Sequence, residues 1–123
     1  MKIKLDPADI AFSKYIRVRD GRCVRCKKPG TGKYGIDGLQ NSHYFGRIRE
    51  STRFDPENCD ALCFGCHQEW GSNDREAYRE FKIKQLGENG YKTLQFRSNT
   101  LKKKDRKMAL MIANALLKEV LLT

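Results

Sequence analysis

Residues 58–67 read Asn58-Cys59-Asp60-Ala61-Leu62-Cys63-Phe64-Gly65-Cys66-His67. Asn58–Leu62 predicts a short extended segment that runs into a Cys-x-x-Cys turn. A helix is expected to begin at Gly65 or Cys66 and to carry His67, Glu69 and Trp70. The turn has an upstream counterpart in Cys23-Val24-Arg25-Cys26. Thiolates at this spacing sit on one tight turn and can face one ion. Two such turns complete the tetrahedral shell of a structural zinc. Gly65 offers the backbone freedom that a tight knuckle often needs.

The chain has five cysteines, and the odd count argues against a disulfide framework. Cys59, the fifth, reads as a small buried apolar side chain. Structural zinc contributes about 10–16 kcal/mol in small zinc-binding peptides. A domain has about 5–15 kcal/mol of stability in total. The ion is therefore expected to decide whether the domain folds. The segment between the knuckles, 27–62, is 36 residues long. Ordinary zinc ribbons hold about 15–20 there. The extra length needs a use, and it contains His43, one of two histidines.

Working outward, Asp6-Pro7-Ala8-Asp9 is a helix start, with Asp6 as the N-cap and Pro7 at the first helical position. Asp9 favours the positive helix end. This helix is expected to run to about Arg19 and to stop at Asp20-Gly21. Residues 39–46 predict a short strand ending in a turn. Asn73-x-x-Glu76 is a capping-box variant opening a helix over about 74–86, with Tyr78, Phe81 and Leu86 inward and Gly87 ending it. Tyr91–Arg97 fits a short helix or a strand. Ser98-Asn99-Thr100 offers a cap for a last helix over about 101–121, with Met108, Met111, Ile112, Ala115, Leu116, Val120 and Leu121 on one face. That face suits either the core or a homodimer contact.

Lys and Arg total 25 against 15 Asp and Glu, a net charge of +10. Such a balance points to a polyanionic partner, of which nucleic acid is the commonest. A 39% hydrophobic and 33% charged composition suits a folded, polar-surfaced domain better than a disordered chain. No apolar run of about 18 residues exists to span a membrane. Met1–Pro7 has no apolar h-region of a secretory signal. A cytoplasmic location is expected. Residues 17–28 and 102–107 are strongly basic, whereas 55–80 carry an excess of carboxylates. A phosphate-facing side and an opposite acidic side follow as an expectation. The run Lys102, Lys103, Lys104 fits either this phosphate-facing surface or a solvated helix face.

Three stretches stand in a fixed order. They are Gln40-Asn41-Ser42-His43-Tyr44-Phe45-Gly46-Arg47, then Thr52-Arg53-Phe54-Asp55-Pro56-Glu57-Asn58, then Ala61-Leu62-Cys63-Phe64-Gly65-Cys66-His67. In that order the chain resembles the HNH (ββα-metal) endonucleases. The likeness is nearest to the phage recombination nucleases of the NinG/Rap type and more distant to the phage endonuclease VII group. It covers about residues 10–94. The resemblance implies an α+β fold, a small zinc-stabilised ββα-metal core with flanking N- and C-terminal helices. Residues 1–97 would form the nuclease domain, and 98–123 a basic amphipathic helix packed on it or on a partner. His43 would be the general base and Asn58 would brace the loop that orients it. His67 would hold a catalytic Mg²⁺ or Mn²⁺, while Cys23, Cys26, Cys63 and Cys66 hold the zinc. The residue before the base is Ser42, where many HNH enzymes carry Asp or another ligand; Gln40, Asn41 and Asp37 are nearby substitutes. An oxygen-poor site of this kind favours Mn²⁺ or Ni²⁺ over Mg²⁺.

Elementary chemistry stands beside the likeness. A neutral imidazole can take a proton from water near neutral pH. A metal on the phosphate acts as Lewis acid and steadies the leaving oxygen. A histidine directly after a knuckle is held rigidly by it, although His67 could instead ligate the zinc. Arg47 and Arg53 fit a bidentate grip on a phosphate or non-specific backbone contacts, and Arg49 adds to the basic surface. The expected function is a metal-dependent DNA endonuclease acting on branched or recombination-intermediate DNA. It would be phage-encoded and act in the host cell. The alternative is a non-catalytic zinc-stabilised nucleic-acid-binding module. A protein–protein adaptor using the last helix ranks behind both.

Overall fold

The computed structural model describes residues 6–122. The N-terminal residues 1–5 and Thr123 lie outside them. The fold is α+β, a two-stranded antiparallel sheet with helices on both faces.

Helix α1 (Pro7–Asp20) begins where the sequence places it. The Asp6 carboxylate accepts from the Asp9 amide at 3.0 Å, and the Asp9 carboxylate accepts from the Asp6 amide at 3.2 Å. That reciprocal pair satisfies two amide donors at the helix start. Gly21 ends the helix in the left-handed region, φ 66°, and its amide donates to Arg17 O at 2.9 Å.

Strand β1 (Leu39–His43) pairs with β2 (Cys59–Cys63), placing Leu39 opposite Cys63 and His43 opposite Cys59. Residues 39–46 thus form the expected short strand ending in a turn, the chain leaving the ladder after His43. Helix α2 (Glu50–Arg53) and a 3₁₀ turn at Pro56–Asn58 fill the connection. β2 is buried at Cys59, Asp60, Ala61 and Leu62, since α1 covers one face of the sheet and the aromatic core covers the other. Helix α3 (Phe64–Gln68) follows β2 directly and widens into a π-type turn at Glu69–Asn73.

One cluster, on the α4 side, contains Leu39, Tyr44, Ala61, Leu62, Trp70, Tyr78 and Tyr91, with Trp70 stacked on Tyr78 at 4.7 Å. The other, on the α1 side, contains Phe12, Ile16, Cys59 and Ala113. Cys59 is therefore a buried apolar contact, and burial pushes its thiol well above the ordinary value. Beneath the sheet, fully buried Lys82 pairs with fully buried Asp60 at 3.2 Å. The Tyr78 hydroxyl donates to Asp60 Oδ2 at 2.9 Å, and Gln85 Nε2 donates to Oδ1 at 3.2 Å. A buried ion pair persists only with its remaining lone pairs satisfied in this way.

Three helix boundaries differ from the sequence reading. Helix α4 (Arg75–Ser98) is capped by Asp74, which accepts from Ala77 N at 3.1 Å, while Asn73 belongs to the preceding turn. Gly87 does adopt φ 79°, but it only interrupts the helix. The chain resumes because Tyr91, Leu94 and Ser98 bury at three- and four-residue steps. Tyr91–Arg97 is therefore helix, and Ser98–Thr100 closes α4 instead of opening the next element.

Helix α5 (Arg106–Leu121) starts five residues later than 101, because the Asp105 carboxylate accepts from the Lys107 and Met108 amides. Its buried residues are Ala109 and Ala113, and α5 packs on α1. Small side chains let the two helices approach. Met108, Met111, Ile112 and Leu121, expected on one covered face, are exposed. No helix among the described residues is long and apolar enough to cross a membrane.

Candidate metal centre and active-site cleft

The Sγ atoms of Cys23, Cys26, Cys63 and Cys66 all lie within 4.8 Å of one another. Cys26 and Cys63 are separated by 3.8 Å. A tetrahedral ion with bonds of about 2.3 Å sets its sulfurs about 3.8 Å apart, so four cysteines this close can hold a metal ion such as zinc. The first knuckle is tied to β2 by Val24 N donating to Ala61 O at 3.0 Å. It closes through Lys27 N donating to Cys23 O at 2.8 Å. The strained residue is Lys27, with φ 69°, whereas Gly65 lies in α3 without a positive φ. The glycine freedom expected at Gly65 is therefore not used.

Burial raises the Cys23 thiol, but amides from Cys26, Cys63 and Arg25 outweigh it, leaving the pKa lowered to about 7. Burial and the neighbouring thiols push Cys66 up to about 12, against the pull of Arg25, whose Nη1 donates to its sulfur at 3.3 Å. Four adjacent sulfurs cannot all ionise without a cation among them. His67 is not part of this cluster.

Both histidines line a single cleft of about 650 Å³ between α1 and the sheet. His43 stands at the end of β1, and its Nε2 lies 3.0 Å from Arg53 O. A carbonyl can only accept, so Nε2 carries the proton and Nδ1 keeps its lone pair. Burial lowers the His43 pKa to about 4, opposed by the Arg53 carbonyl and Asp9 and helped by the charges of the Arg47 and Arg53 guanidinium groups. The ring is neutral at physiological pH.

His67, on α3 directly after Cys66, has Nδ1 2.6 Å from Gln40 Oε1. With Gln40 Oε1 facing the ring as acceptor, Nδ1 is the donor and Nε2 is left as a lone pair. Burial lowers the His67 pKa, which keeps that lone pair available. Asn41, two residues before His43, also lines the cleft, and its buried Oδ1 has no hydrogen-bond partner among the described residues.

Asn58 is fully buried and uses its whole amide. Oδ1 accepts from Phe45 N at 2.8 Å, while Nδ2 donates to Phe45 O at 2.9 Å and Thr52 O at 3.1 Å. Its backbone carbonyl accepts from Tyr44 N at 2.8 Å. The loop that leaves His43 and the helix that supplies its carbonyl partner are thus pinned to one side chain. Ser42 points the other way, its Oγ 3.1 Å from the buried Tyr78 hydroxyl. Alternation along β1 therefore removes the position before His43 from the cleft.

Comparison with family models, with curated proteins and with solved structures returns no match.

The arginines are placed differently from one another. Arg53 donates to Asp9 through Nε at 2.8 Å and through Nη2, and to Glu50 through Nη1 at 3.1 Å. Arg47 lines the cleft but also pairs with Asp9 at 3.0 Å. Arg49 reaches the end of α4, donating to Asn99 Oδ1 at 2.7 Å. Lys102, Lys103 and Lys104 line a separate pocket of about 330 Å³ beside α5, together with Phe54 and Met108. The structure brings His43, His67 and Arg47 to the cleft, and leaves Arg49 and the lysine run outside it.

The sequence marks Asp9 only as a helix-start residue. It is 7% exposed and takes both Arg47 and Arg53. Burial raises its carboxyl, but the Arg53 guanidinium and the Asp6 amide outweigh that and lower it to about 2. A capping motif carries no signal of partners so distant in sequence. Arg17, within the basic stretch 17–28, also lines the cleft.

Proposed function

We propose that the chain is a metal-dependent DNA endonuclease of HNH (ββα-metal) type. The observation that carries this reading is one cleft lined by two imidazoles, each held in a single tautomer by an oxygen acceptor. The order β1, β2, α3, with the base on the first strand and a histidine on the helix, supports the same assignment.

His43 Nδ1 is the base that takes a proton from the attacking water. Asn58 is a positioning residue that fixes the backbone around His43. His67 Nε2 and Asn41 Oδ1 would hold the catalytic divalent ion, Mg²⁺ or Mn²⁺, and the unpartnered Asn41 oxygen fits an ion that needs oxygen donors. When bound, such an ion supplies Lewis-acid stabilisation at a phosphate oxygen. Cys23, Cys26, Cys63 and Cys66 would hold a structural Zn²⁺ that fixes the start of α3, and with it His67. DNA, branched or in a recombination intermediate, is the proposed substrate, and a homodimer would place two such sites on one junction.

The test is nicking of supercoiled plasmid with Mg²⁺ or Mn²⁺, comparing wild type with His43→Ala. Loss of a general base lowers the rate about 10²–10⁴-fold. Equal nicking by both proteins would overturn the assignment of His43. One observation favours the second reading, a zinc-stabilised nucleic-acid-binding module without chemistry. A His43 pKa near 4 makes a weak base. DNA binding without cleavage under any divalent ion would establish that reading instead.

A further inference from the structure

We propose that Arg17 of α1 is the phosphate-gripping group of the cleft, and that it takes a phosphodiester oxygen of nucleic acid lying against His43 and His67. The inference rests on the nucleic-acid reading above and names the group that meets the phosphate.

The arginines first expected to do this work are committed elsewhere. Arg47, Arg53 and Arg106 are interleaved with Asp6, Asp9 and Glu50 in one ion-pair network. The charges of these three cations and three carboxylates balance. Arg53 also has its side chain only 11% exposed. Withdrawing it toward a ligand would strand the buried Asp9 carboxylate, which is costly.

Arg17 differs on each count. It lines the same cleft as the two histidines. Its Nε donates to Ser13 O at 3.2 Å, which fixes the plane of the guanidinium. Among the described residues Nη1 and Nη2 make no hydrogen bond, and no carboxylate lies within ion-pair distance. Burial pulls its pKa down, and only Asp37 opposes this through space. A half-buried cation with an oriented, unused pair of donors is matched by an anion with two oxygens, which is the geometry of a phosphodiester. The competing explanation is local. Arg17 sits in the last turn of α1, where a cation favours the negative helix end. That explanation accounts for the charge and not for the cleft-facing position.

The experiment uses the full chain with its bound metal and a fluorescein-labelled four-way junction or duplex, without added Mg²⁺ or Mn²⁺. Affinity is measured across a salt series for wild type, Arg17→Ala, Arg17→Lys and, as an exposed basic control on α5, Lys118→Ala. Arg17→Ala is expected to weaken binding about tenfold and to flatten the log–log salt slope by about 1. Arg17→Lys keeps the slope but not the full affinity, because it keeps the charge and loses the fork. Lys118→Ala leaves both near wild type. Arg17→Ala binding like wild type with an unchanged slope overturns the assignment of Arg17 alone. Wild type that fails to bind any of these DNAs overturns the nucleic-acid reading with it.

A second measurement needs no variant. Arginine side-chain resonances of the wild-type protein are followed during titration with a thymidine dinucleotide. The Arg17 guanidinium signal is expected to shift and its Nη exchange to slow. An unmoved signal while other cleft resonances respond contradicts the proposal.

Discussion

The four-thiol cluster and the His43 side of the cleft share one two-stranded sheet but are held by different forces. Cys63 sits opposite Leu39 at one end of the ladder, and His43 sits opposite Cys59 at the other. At the first end four sulfurs that could hold one metal ion cluster where α3 starts, and α3 carries His67. At the second end no metal ligand is needed for order. Asn58, the Arg53 carbonyl and the Asp9–arginine network hold His43 by hydrogen bonds and ion pairs. One imidazole therefore follows a cluster that could hold a cation, and the other is held by buried polar satisfaction.

The sharpest way to break that comparison is to remove the metal. Stripping the thiol centre with a chelator is expected to cost about 10 kcal/mol or more, enough to unfold the domain. Circular dichroism and metal analysis on the same sample check this. A chain that loses its metal and keeps its melting temperature would show that the thiol centre is not structural.

Asn58→Ala attacks the other end. It strands the Phe45 amide and two carbonyls in a buried site, with an expected cost of about 3 kcal/mol in denaturant unfolding. Bound zinc should stay at one per chain. Loss of zinc along with Asn58 would erase the distinction between the two ends.

The Asp9 network gives a pH signature. Its carboxyl is lowered to about 2 in the fold from an ordinary 3.8. The stabilisation is therefore present above pH about 4 and is lost as the pH falls through about 2. Its size is about 2 kcal/mol, and Asp9→Asn should remove both the stabilisation and that part of the acid dependence. Urea unfolding across the acid range measures it, and parallel curves for the two proteins would contradict the assignment.

The smallest expected effect is Gln40→Leu, which removes the acceptor for His67 Nδ1. Stability should change by about 1 kcal/mol. Mn²⁺ affinity at the cleft should fall about 10–100-fold. Titration calorimetry reads this, and unchanged affinity would mean that Gln40 does not set the His67 tautomer.

Features written in neighbouring residues were legible in the sequence. Asp6-Pro7-Ala8-Asp9 announces α1, and the two Cys-x-x-Cys turns announce the thiol centre, because each signal lies within one turn of chain. Features that depend on distant partners were not. Gly87 looks like a helix end, and only the burial of Tyr91 and Leu94 carries α4 past it. The lysine run before Asp105 looks helical, yet the aspartate caps the helix after it. Ser42 looked like a defective ligand, whereas strand alternation turns it toward Tyr78 and leaves Asn41 facing the cleft. Nothing local in the sequence pairs Arg47 and Arg53 with Asp9, which lies between them in the fold.

Single-turnover cleavage of a labelled four-way junction with Mn²⁺ tests the central claim most directly. Wild type, His43→Ala and His67→Ala are compared at matched zinc content and matched folding. Cutting by wild type, with a loss of about 10²-fold or more in each variant, is the predicted result. Undiminished cutting by both variants, or none by wild type under any divalent ion, would contradict it.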